Sequence, residues 1–276
     1  MLVPIGAGVS LDVADAGHGP VVVLLHGWPV TNLHWRHLIP ALNRAGYRTL
    51  AVEARGLGDL STGAGDLSKA RLAAEVATVL DALGVRRFAV VGHAAGGVVA
   101  ALLAGAQPSR VVALVLEEAV LPGTDVPPPS RASTAEWLEP LALAPGDLAE
   151  SLLRGRLDLV VDAYLTTAAG PAGLDFDAHL AYVEAHGTDD RLADALGLLR
   201  TKAEDAVAVQ RAFRRRLRMP ALAVGGRFAA GQAVLESLAR VAAAPRGVLV
   251  PDAGAYPAEQ YPDAVLSAVV QFLRSV

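Results

Sequence analysis

The chain has 276 residues, of which 53% are hydrophobic and 19% charged, and its net charge at pH 7 is −4. These values allow a large buried core, exclude intrinsic disorder and argue against a general nucleic-acid-binding surface. The absence of cysteine excludes disulfides, thiolate metal sites and a cysteine nucleophile. No apolar run is long enough to span a membrane, and residues 1–5 lack the basic flank of a secretory signal, so we expect a cytoplasmic protein. The 24 basic residues comprise 22 arginines and two lysines, and alanine is abundant, which indicates a GC-rich bacterial genome.

Short apolar runs alternate with amphipathic stretches, a pattern typical of a mainly parallel sheet flanked by helices. Strands are predicted at residues 21–25, 48–52, 87–91, 111–116, 221–224 and 247–250. Helices are predicted at residues 33–45, 69–83, 96–107, 232–242 and 263–274. Between 123 and about 212 the alternation stops, and beyond the prolines at 127–129 the pattern is helical. The sequence therefore predicts one α/β core, residues 1–122 and 213–276, with an inserted helical lid, residues 123–212, over the ligand crevice.

The stretch of residues 90–97 joins a predicted strand directly to a predicted helix. Gly92 and Gly96 stand two residues before and two residues after Ala94, which is the spacing of a nucleophile elbow. Glycines are needed there because the turn is sharp and the strand and helix nearly touch. The helix N-terminus presents free N–H groups to a negative charge, and the loop after the first predicted strand can place a second N–H opposite them.

Six segments in this order resemble the epoxide-hydrolase-like branch of the α/β-hydrolase superfamily. They cover nearly the whole chain apart from the insertion: His26-Gly27-Trp28-Pro29, Trp35-Arg36, Arg55-Gly56-Leu57-Gly58-Asp59, the Gly92–Gly97 elbow, Glu117–Pro122 and Asp252–Pro257. The resemblance implies an α/β-hydrolase fold, a mainly parallel twisted sheet flanked by helices with an inserted lid. In this family an elbow aspartate attacks an epoxide carbon to form an ester, and a late histidine, held by an acid, activates the water that hydrolyses it.

Carried over by position, the resemblance places the nucleophile at Ala94, the late histidine at Ala255 and the orienting acid at Glu118. Two of the three positions therefore carry a methyl group, which can neither attack an epoxide nor move a proton. The backbone N–H groups of Trp28 and Ala95 are the expected oxyanion donors. Triad hydrolysis is not expected from this sequence.

The insertion departs from the family as well. The resemblance implies two lid residues that donate hydrogen bonds to the epoxide oxygen, and these positions fall near Ala142 and Leu199. The ring of Trp28 is expected to line the pocket, and His26 and His93 are interpreted as pocket residues that brace the elbow, with the side chain of His93 turned away from the ligand. The remaining polar or aromatic pocket candidates are Trp137, Tyr164, Tyr182, His186 and Tyr256.

Glu118 has two readings that stay open. In the first, burial near an apolar pocket raises the pKa of Glu118, which then acts as a general acid or base. In the second, Glu118 has only a structural role and is hydrogen-bonded to backbone or water. Asp59 and Asp252 are interpreted as loop and surface-turn residues, and Arg227 stands where other branches carry an acid. The remaining polar groups are interpreted as solvated: the pair His34 and His37 rather than a metal site, and the cluster Arg211, Arg214, Arg215, Arg216 and Arg218 rather than a partner site.

Three functions remain open. The favoured one is a non-hydrolytic enzyme, of cyclase, isomerase or lyase type, acting on a small apolar oxygenated metabolite of a bacterial natural-product pathway through pocket shape and oxyanion N–H groups. The second is an epoxide hydrolase inactivated by substitution at 94 and 255, and the third is a non-catalytic binding or sensing module. In each case we expect a small apolar organic ligand, no cofactor, no metal, no nucleic acid and no membrane, and a homodimer is left open.

Overall fold

The structure, a computed structural model, describes residues 1–6, 8–57, 65–127 and 137–276. Within these ranges an eight-stranded sheet forms the centre of the protein. Its strands are β1 (Leu2–Gly6), β2 (Val9–Gly17), β3 (Val21–Leu25), β4 (Arg48–Val52), β5 (Phe88–His93), β6 (Val111–Glu117), β7 (Ala221–Gly226) and β8 (Arg246–Val250). They lie in the order β1-β2-β4-β3-β5-β6-β7-β8. Strand β2 pairs antiparallel with β1 and β4, and all other pairs are parallel.

Helices cover both faces of the sheet, as the alternating pattern predicts. Those that belong to the sheet's crossovers and its C-terminal end are α1 (Leu38–Arg44), α2 (Lys69–Ala82), α3 (Ala94–Ala106), α10 (Gln232–Val241), α11 (Pro257–Gln260) and α12 (Pro262–Arg274). Those between β6 and β7 are α4 (Leu138–Ala142), α5 (Leu148–Leu153), α6 (Leu157–Ala168), α7 (Phe176–His186), α8 (Leu192–Arg200) and α9 (Lys202–Ala212). No helix in the described ranges is both long and apolar enough to cross a membrane.

The core is divided by the sheet into two apolar layers. Val23 in β3 packs with residues of α2, α3 and α10, whereas its neighbours Val22 and Leu24 pack with α1 and α12. Successive side chains of a strand point to opposite faces, and both faces are covered here. This explains why β3 is a continuous apolar run rather than an alternating one.

Two parts of the secondary structure were predicted wrongly or missed. The predicted helix at 33–45 is a 3-10 turn, Asn32–Trp35, followed by the separate helix α1. Pro40 explains the break, because a helix running through it would need an N–H at Pro40 to donate to the carbonyl of Arg36; in α1 it lies in the first turn, where no partner is required. Strands β1 and β2 were missed, although Val9, Leu11 and Val13 alternate with polar residues as an edge strand does.

The described residues between β6 and β7 form helices and turns and no strand. These helices share an apolar cluster with Val30 and Tyr256, and its members include Leu157, Val161 and Leu165. Lys69 at the start of α2 ties the segment to the sheet, since its ammonium group donates to Leu198 O at 2.7 Å and lies 3.0 Å from Asp205. The action of this helical segment as a lid stays a prediction, and the proline run reaches beyond the described residues.

Candidate active site

The elbow lies where β5 ends and α3 begins, and its backbone is strained as the glycine spacing predicts. Ala94 has a φ of +48°, in the left-handed region that L-residues other than asparagine and aspartate rarely adopt. A Cβ on Gly92 would lie 2.5 Å from Gly96 O, and one on Gly96 would lie 2.3 Å from His26 O. No side chain fits at these glycines, because three backbone segments share the space.

The loop after β3 forms the opposite wall of the elbow. A Cβ on Gly27 would lie 2.8 Å from the methyl carbon of Ala94, so the two segments are in contact. The N–H of Trp28 makes no backbone hydrogen bond within the described residues. Ala95 is the second residue of α3, where helix N–H groups have no intrahelical partner. The expected oxyanion donors therefore belong to two segments that meet at Ala94.

A cavity of about 660 Å³ opens beside the elbow. It lies between the start of α3, the loop after β6 and the helices α8 and α9. Four of the predicted site residues line it: Ala94, Ala95, Glu118 and Leu199. Most other lining residues are apolar, and the charged ones include the ion pairs Lys69–Asp205, which is buried, and Lys202–Glu139. The elbow and the acid position thus share one apolar cavity.

Glu118 follows β6 with a φ of +51° and turns its carboxylate towards the loop after β7. Its two oxygens accept the N–H groups of Gly226 at 2.5 Å and Ala230 at 2.8 Å. Burial raises the pKa of Glu118 to about 8, against the opposing effect of these N–H donors. No lysine or arginine pairs with this carboxylate in the described part of the chain. Glu118 is therefore poised to exchange a proton near neutral pH.

Several predicted pocket residues do not line this cavity. Trp28 and Tyr164 are half-buried and pack edge to face, with ring centroids 5.4 Å apart. Tyr256 is buried, and its hydroxyl has no partner among the described residues. Ala255 is half-buried beside them in the apolar cluster of the helical segment. The structure thus places these four residues in a packed layer next to the cavity.

The remaining lid candidates lie elsewhere. Ala142 is fully buried within the helical segment, whereas Trp137 is 47% exposed. The hydroxyl of Tyr182 donates to Glu259 Oε1 at 2.7 Å, so this buried tyrosine is engaged away from the cavity. His186 is buried against the Trp28 ring, and burial lowers its pKa to about 3. The interpretation of Tyr182, Trp137 and His186 as cavity-lining donors is not supported by their positions.

The two histidines of the elbow region are buried and use one ring nitrogen each. His26 Nδ1 donates to Gly27 O at 2.9 Å, and His93 Nε2 donates to Ala255 O at 2.8 Å. Their other ring nitrogens have no partner within the described ranges. Burial lowers the pKa of both, that of His93 to about 4. Neither histidine is among the described residues that line the cavity, so their interpretation as pocket residues is not supported. His93 instead fixes the backbone of Ala255 next to the elbow.

A buried ionic network beneath the site was missed by the sequence analysis. His34 is fully buried, with Nε2 3.1 Å from Glu117 Oε2 and Nδ1 2.9 Å from Glu259 Oε1. Burial alone would lower the pKa of His34, but the two carboxylates outweigh it and raise the pKa to about 9. Arg36 also pairs with Glu259, and Glu117 Oε1 accepts the N–H of Ala258 at 2.7 Å. The network anchors the segment that follows Ala255.

The interpretation of His34 and His37 as a solvated pair is therefore wrong for His34. The 3-10 turn directs His34 inward, while His37 lies on the surface. Its partners lie 83 and 225 residues away along the chain, so no local pattern could have revealed them. No group of three or more metal-ligating side chains occurs within the described ranges.

Three further polar residues were interpreted from the sequence as lying in loops or turns or at the position of an acid in other branches. Asp252 lies in an exposed turn, as predicted. Arg227 is exposed, with its guanidinium 5.2 Å from the ring centre of Phe228. Asp59 lies outside the described residues.

Comparison with known proteins assigns the family. Residues 20–155 match the family model described as alpha/beta hydrolase fold. A Pseudomonas aeruginosa protein provisionally assigned as an epoxide hydrolase is 30% identical, with a TM-score of 0.86 over 100% of this chain and 95% of its own. The chain belongs to the epoxide-hydrolase-like branch of the α/β-hydrolase superfamily. The wild-type Cfl2 of Burkholderia cenocepacia has a TM-score of 0.89 at 25% identity, covering 98% of this chain and 94% of its own.

Similarity to curated epoxide hydrolases is confined to part of the sequence. Epoxide hydrolase A of Mycobacterium tuberculosis is 42% identical over 130 residues, which cover 44% of this chain and 39% of the relative. Epoxide hydrolase 3 of Siraitia grosvenorii is 37% identical over 110 residues, covering 39% of this chain and 35% of the relative. The matched segment thus spans little more than a third of these relatives.

The strained elbow predicts an unusual response to glycine. At Ala94 glycine removes a left-handed strain of about 1–2 kcal/mol, which offsets the lost methyl contacts. At Ala95, in helical conformation, glycine costs about 0.5–1 kcal/mol. In urea unfolding we expect Ala94→Gly to be more stable than Ala95→Gly by about 1 kcal/mol or more. Equal destabilisation of the two variants would contradict the strain at Ala94.

The His34 network predicts a pH dependence of stability. Because the pKa of His34 is raised to about 9 in the folded protein, its contribution is complete below the ordinary value of about 6.5 and is lost as the pH rises through 9. Between pH 6.5 and 9 we expect the free energy of unfolding of the unmodified protein to fall by on the order of 3 kcal/mol more than that of His34→Gln. His18→Gln, at an exposed position, is the control and should follow the unmodified protein. Parallel profiles for all three proteins would rule out a charged His34.

Proposed function

We propose that this protein is a non-hydrolytic enzyme in which Glu118 acts as a general base on a small apolar oxygenated molecule. The observation that carries the proposal is a carboxylate that lines an apolar cavity next to the elbow, pairs with no cation among the described residues and has its pKa raised to about 8. A carboxylate poised near neutral pH is suited to proton transfer. The reaction class is elimination, isomerisation or cyclisation, in which a C–H or O–H proton is removed and negative charge develops on an oxygen.

The proposal rests on what the triad positions carry. The methyl groups of Ala94 and Ala255 offer neither a nucleophile nor a base, while the elbow that presents position 94 keeps its strained geometry. A general base contributes a factor of about 10² to 10⁴ in rate, and one oxyanion donor contributes about 10² to 10³. Glu118 together with the N–H groups of Trp28 and Ala95 would therefore support substantial catalysis without a covalent intermediate.

Further polar groups near the elbow are free to orient a ligand. Tyr256 Oη and His26 Nε2 are buried and have no partner within the described ranges. A buried polar atom without a partner costs about 1–3 kcal/mol. We infer that a ligand oxygen satisfies them, reached from the cavity when the helical segment moves as a lid. Under this proposal these groups replace the family's lid donors, which are absent at Ala142 and Leu199.

The base role is tested with 5-nitrobenzisoxazole, an apolar probe that eliminates to a coloured phenolate. Glu118 would remove the C–H proton, the N–O bond would break, and the phenolate oxygen would face the two N–H donors. We expect the rate to rise with pH through about 8, because only the ionised carboxylate accepts a proton, and to fall by a factor of about 10² or more in Glu118→Gln.

The matched control is Glu139→Gln, at a carboxylate that lines the same cavity but pairs with Lys202. It should retain the rate of the unmodified protein. A Glu118→Gln variant that is equally active would disprove the base role. Retention of apolar ligands with no turnover of any probe would favour a binding or sensing module.

The retained elbow geometry also favours a second candidate, an epoxide hydrolase inactivated at two positions. The protein as it stands should hydrolyse neither styrene oxide nor p-nitrophenyl acetate above background. The double change Ala94→Asp plus Ala255→His would restore a nucleophile and a base beside Glu118. We expect weak recovery of styrene oxide opening, because the missing lid donors forfeit a factor of about 10² to 10⁴.

The single change Ala94→Asp controls for the nucleophile without its histidine. It should form the ester but fail to release it, giving at most one turnover per molecule. Full epoxide hydrolysis by the double variant would favour the inactivated hydrolase over a repurposed pocket. Turnover of either probe by the unmodified protein would overturn both candidates.

A further inference from the structure

A second large pocket lies at the amino ends of the parallel strands, whereas the candidate active site lies at their carboxyl ends. The lining of this second pocket includes Ser109, just before β6, and Met219, just before β7, whereas Glu118 follows β6 at its carboxyl end. Its volume is about 1010 Å³. Five arginines line it: Arg211, Arg214, Arg215, Arg216 and Arg218. None of the described residues that line it is acidic.

The five arginines are exposed to solvent, as expected, but they do not lie on one helix face. Only Arg211 lies in α9, which ends at Ala212; the others follow on the segment that leads into β7. None of their side chains makes an ion pair or hydrogen bond with another described residue. By contrast, Arg55 pairs with Glu75 and Arg200 with Glu150. The pocket is therefore a concentrated positive site in a chain of net charge −4.

The negative ends of three helices neutralise only part of the positive charge in this pocket. The C-termini of α3, α9 and α10 all reach the pocket, through Gly105, Ala212 and Ala243 next to the end of α10. Each helix C-terminus carries about half a negative charge, so the three together offset about 1.5 of the five positive charges. An excess of more than three charges remains, which a single carboxylate would not neutralise.

An alanine-lined groove leads from this pocket towards the candidate active site. It runs between α2, α3 and α9, shares Gly105 and Ala212 with the arginine pocket and begins at Ala70. The adjacent residue, Lys69, lines the active-site cavity. Helix α9 contributes Ala208 and Ala212, one turn apart, to the groove, and Ala203 and Ala206 to the active-site cavity. The groove therefore adjoins the arginine pocket at Gly105 and Ala212, and at Ala70 it comes within one residue of the cavity lining.

We propose that the arginine pocket binds the phosphate groups of an organic diphosphate whose apolar chain lies in the alanine-lined groove. Guanidinium groups match phosphate oxygens as two-pronged donors, and several of them together need a multiply charged anion. The groove offers methyl groups and no charge, which suits a hydrocarbon chain. Binding of the diphosphate does not depend on the reaction proposed at Glu118, because the two sites lie at opposite ends of the parallel strands.

The anion site is tested by calorimetric titration of the full chain with inorganic pyrophosphate at physiological salt. We expect binding that weakens as salt rises, and a loss of affinity on the order of tenfold for each guanidinium removed. The double variant Arg214→Ala plus Arg216→Ala should therefore lose binding about 100-fold. The control, Arg154→Ala plus Arg156→Ala, removes the same charge from exposed positions between α5 and α6 and should bind like the unmodified protein.

Thermal unfolding of both double variants establishes that they are folded. No binding of pyrophosphate to the unmodified protein, or equal losses in the two double variants, would overturn the proposed anion site.

The groove is tested with farnesyl diphosphate as the second probe. Burial of its hydrocarbon chain should make it bind on the order of tenfold or more tighter than pyrophosphate. Ala208→Leu, which fills the groove, should remove this advantage and leave pyrophosphate binding unchanged. Ala163→Leu, at an exposed position of α6, is the control and should change neither affinity. Equal binding of the two probes by the unmodified protein would overturn the assignment of the groove to the chain.

Discussion

The backbone contact at the elbow is the constraint on which the rest of the site depends. A Cβ on Gly96 would lie 2.4 Å from Leu25 O, and one on Gly97 would lie 2.3 Å from the methyl carbon of Ala119. The end of β3, the start of α3 and the loop after β6 therefore meet where only backbone and methyl groups fit. This contact forces the positive φ of Ala94 and brings Glu118 to the same cavity. The geometry belongs to the backbone, so it persists with alanine at position 94.

Two neighbouring glutamates show how the tertiary structure shifts the pKa of the same residue type in opposite directions. Glu117, the last residue of β6, points towards His34, and this buried partner lowers its pKa despite burial. Glu118 points towards the loop after β7, where it accepts backbone N–H groups and meets no cation of the described residues, and burial raises its pKa to about 8. The first carboxylate is a fixed charge that holds the structure together. The second can change its charge near neutral pH, which is the basis of the proposed reaction.

The elements carrying the triad positions are held by different forces. Position 94 is fixed by steric contact, whereas the segment of position 255 is fixed by hydrogen bonds and charge. His93 donates to Ala255 O, and Glu259, four residues later, is held by His34, Arg36 and the hydroxyl of Tyr182. Because these contacts avoid the side chain of Ala255, the segment keeps its position without a histidine there. This fixed segment places Tyr256 beside the elbow, where its hydroxyl has no partner among the described residues.

The sequence by itself determined the features that depend on neighbours along the chain. The apolar runs predicted most strands of the sheet, and the spacing of Gly92 and Gly96 predicted the strained elbow, since these signals follow from local backbone geometry. The tertiary structure decided which distant groups meet. It buried His34 between carboxylates 83 and 225 residues away and kept Tyr182 and Ala142 out of the cavity lining. Such contacts depend on how separate elements pack, and neither composition nor periodicity records that packing.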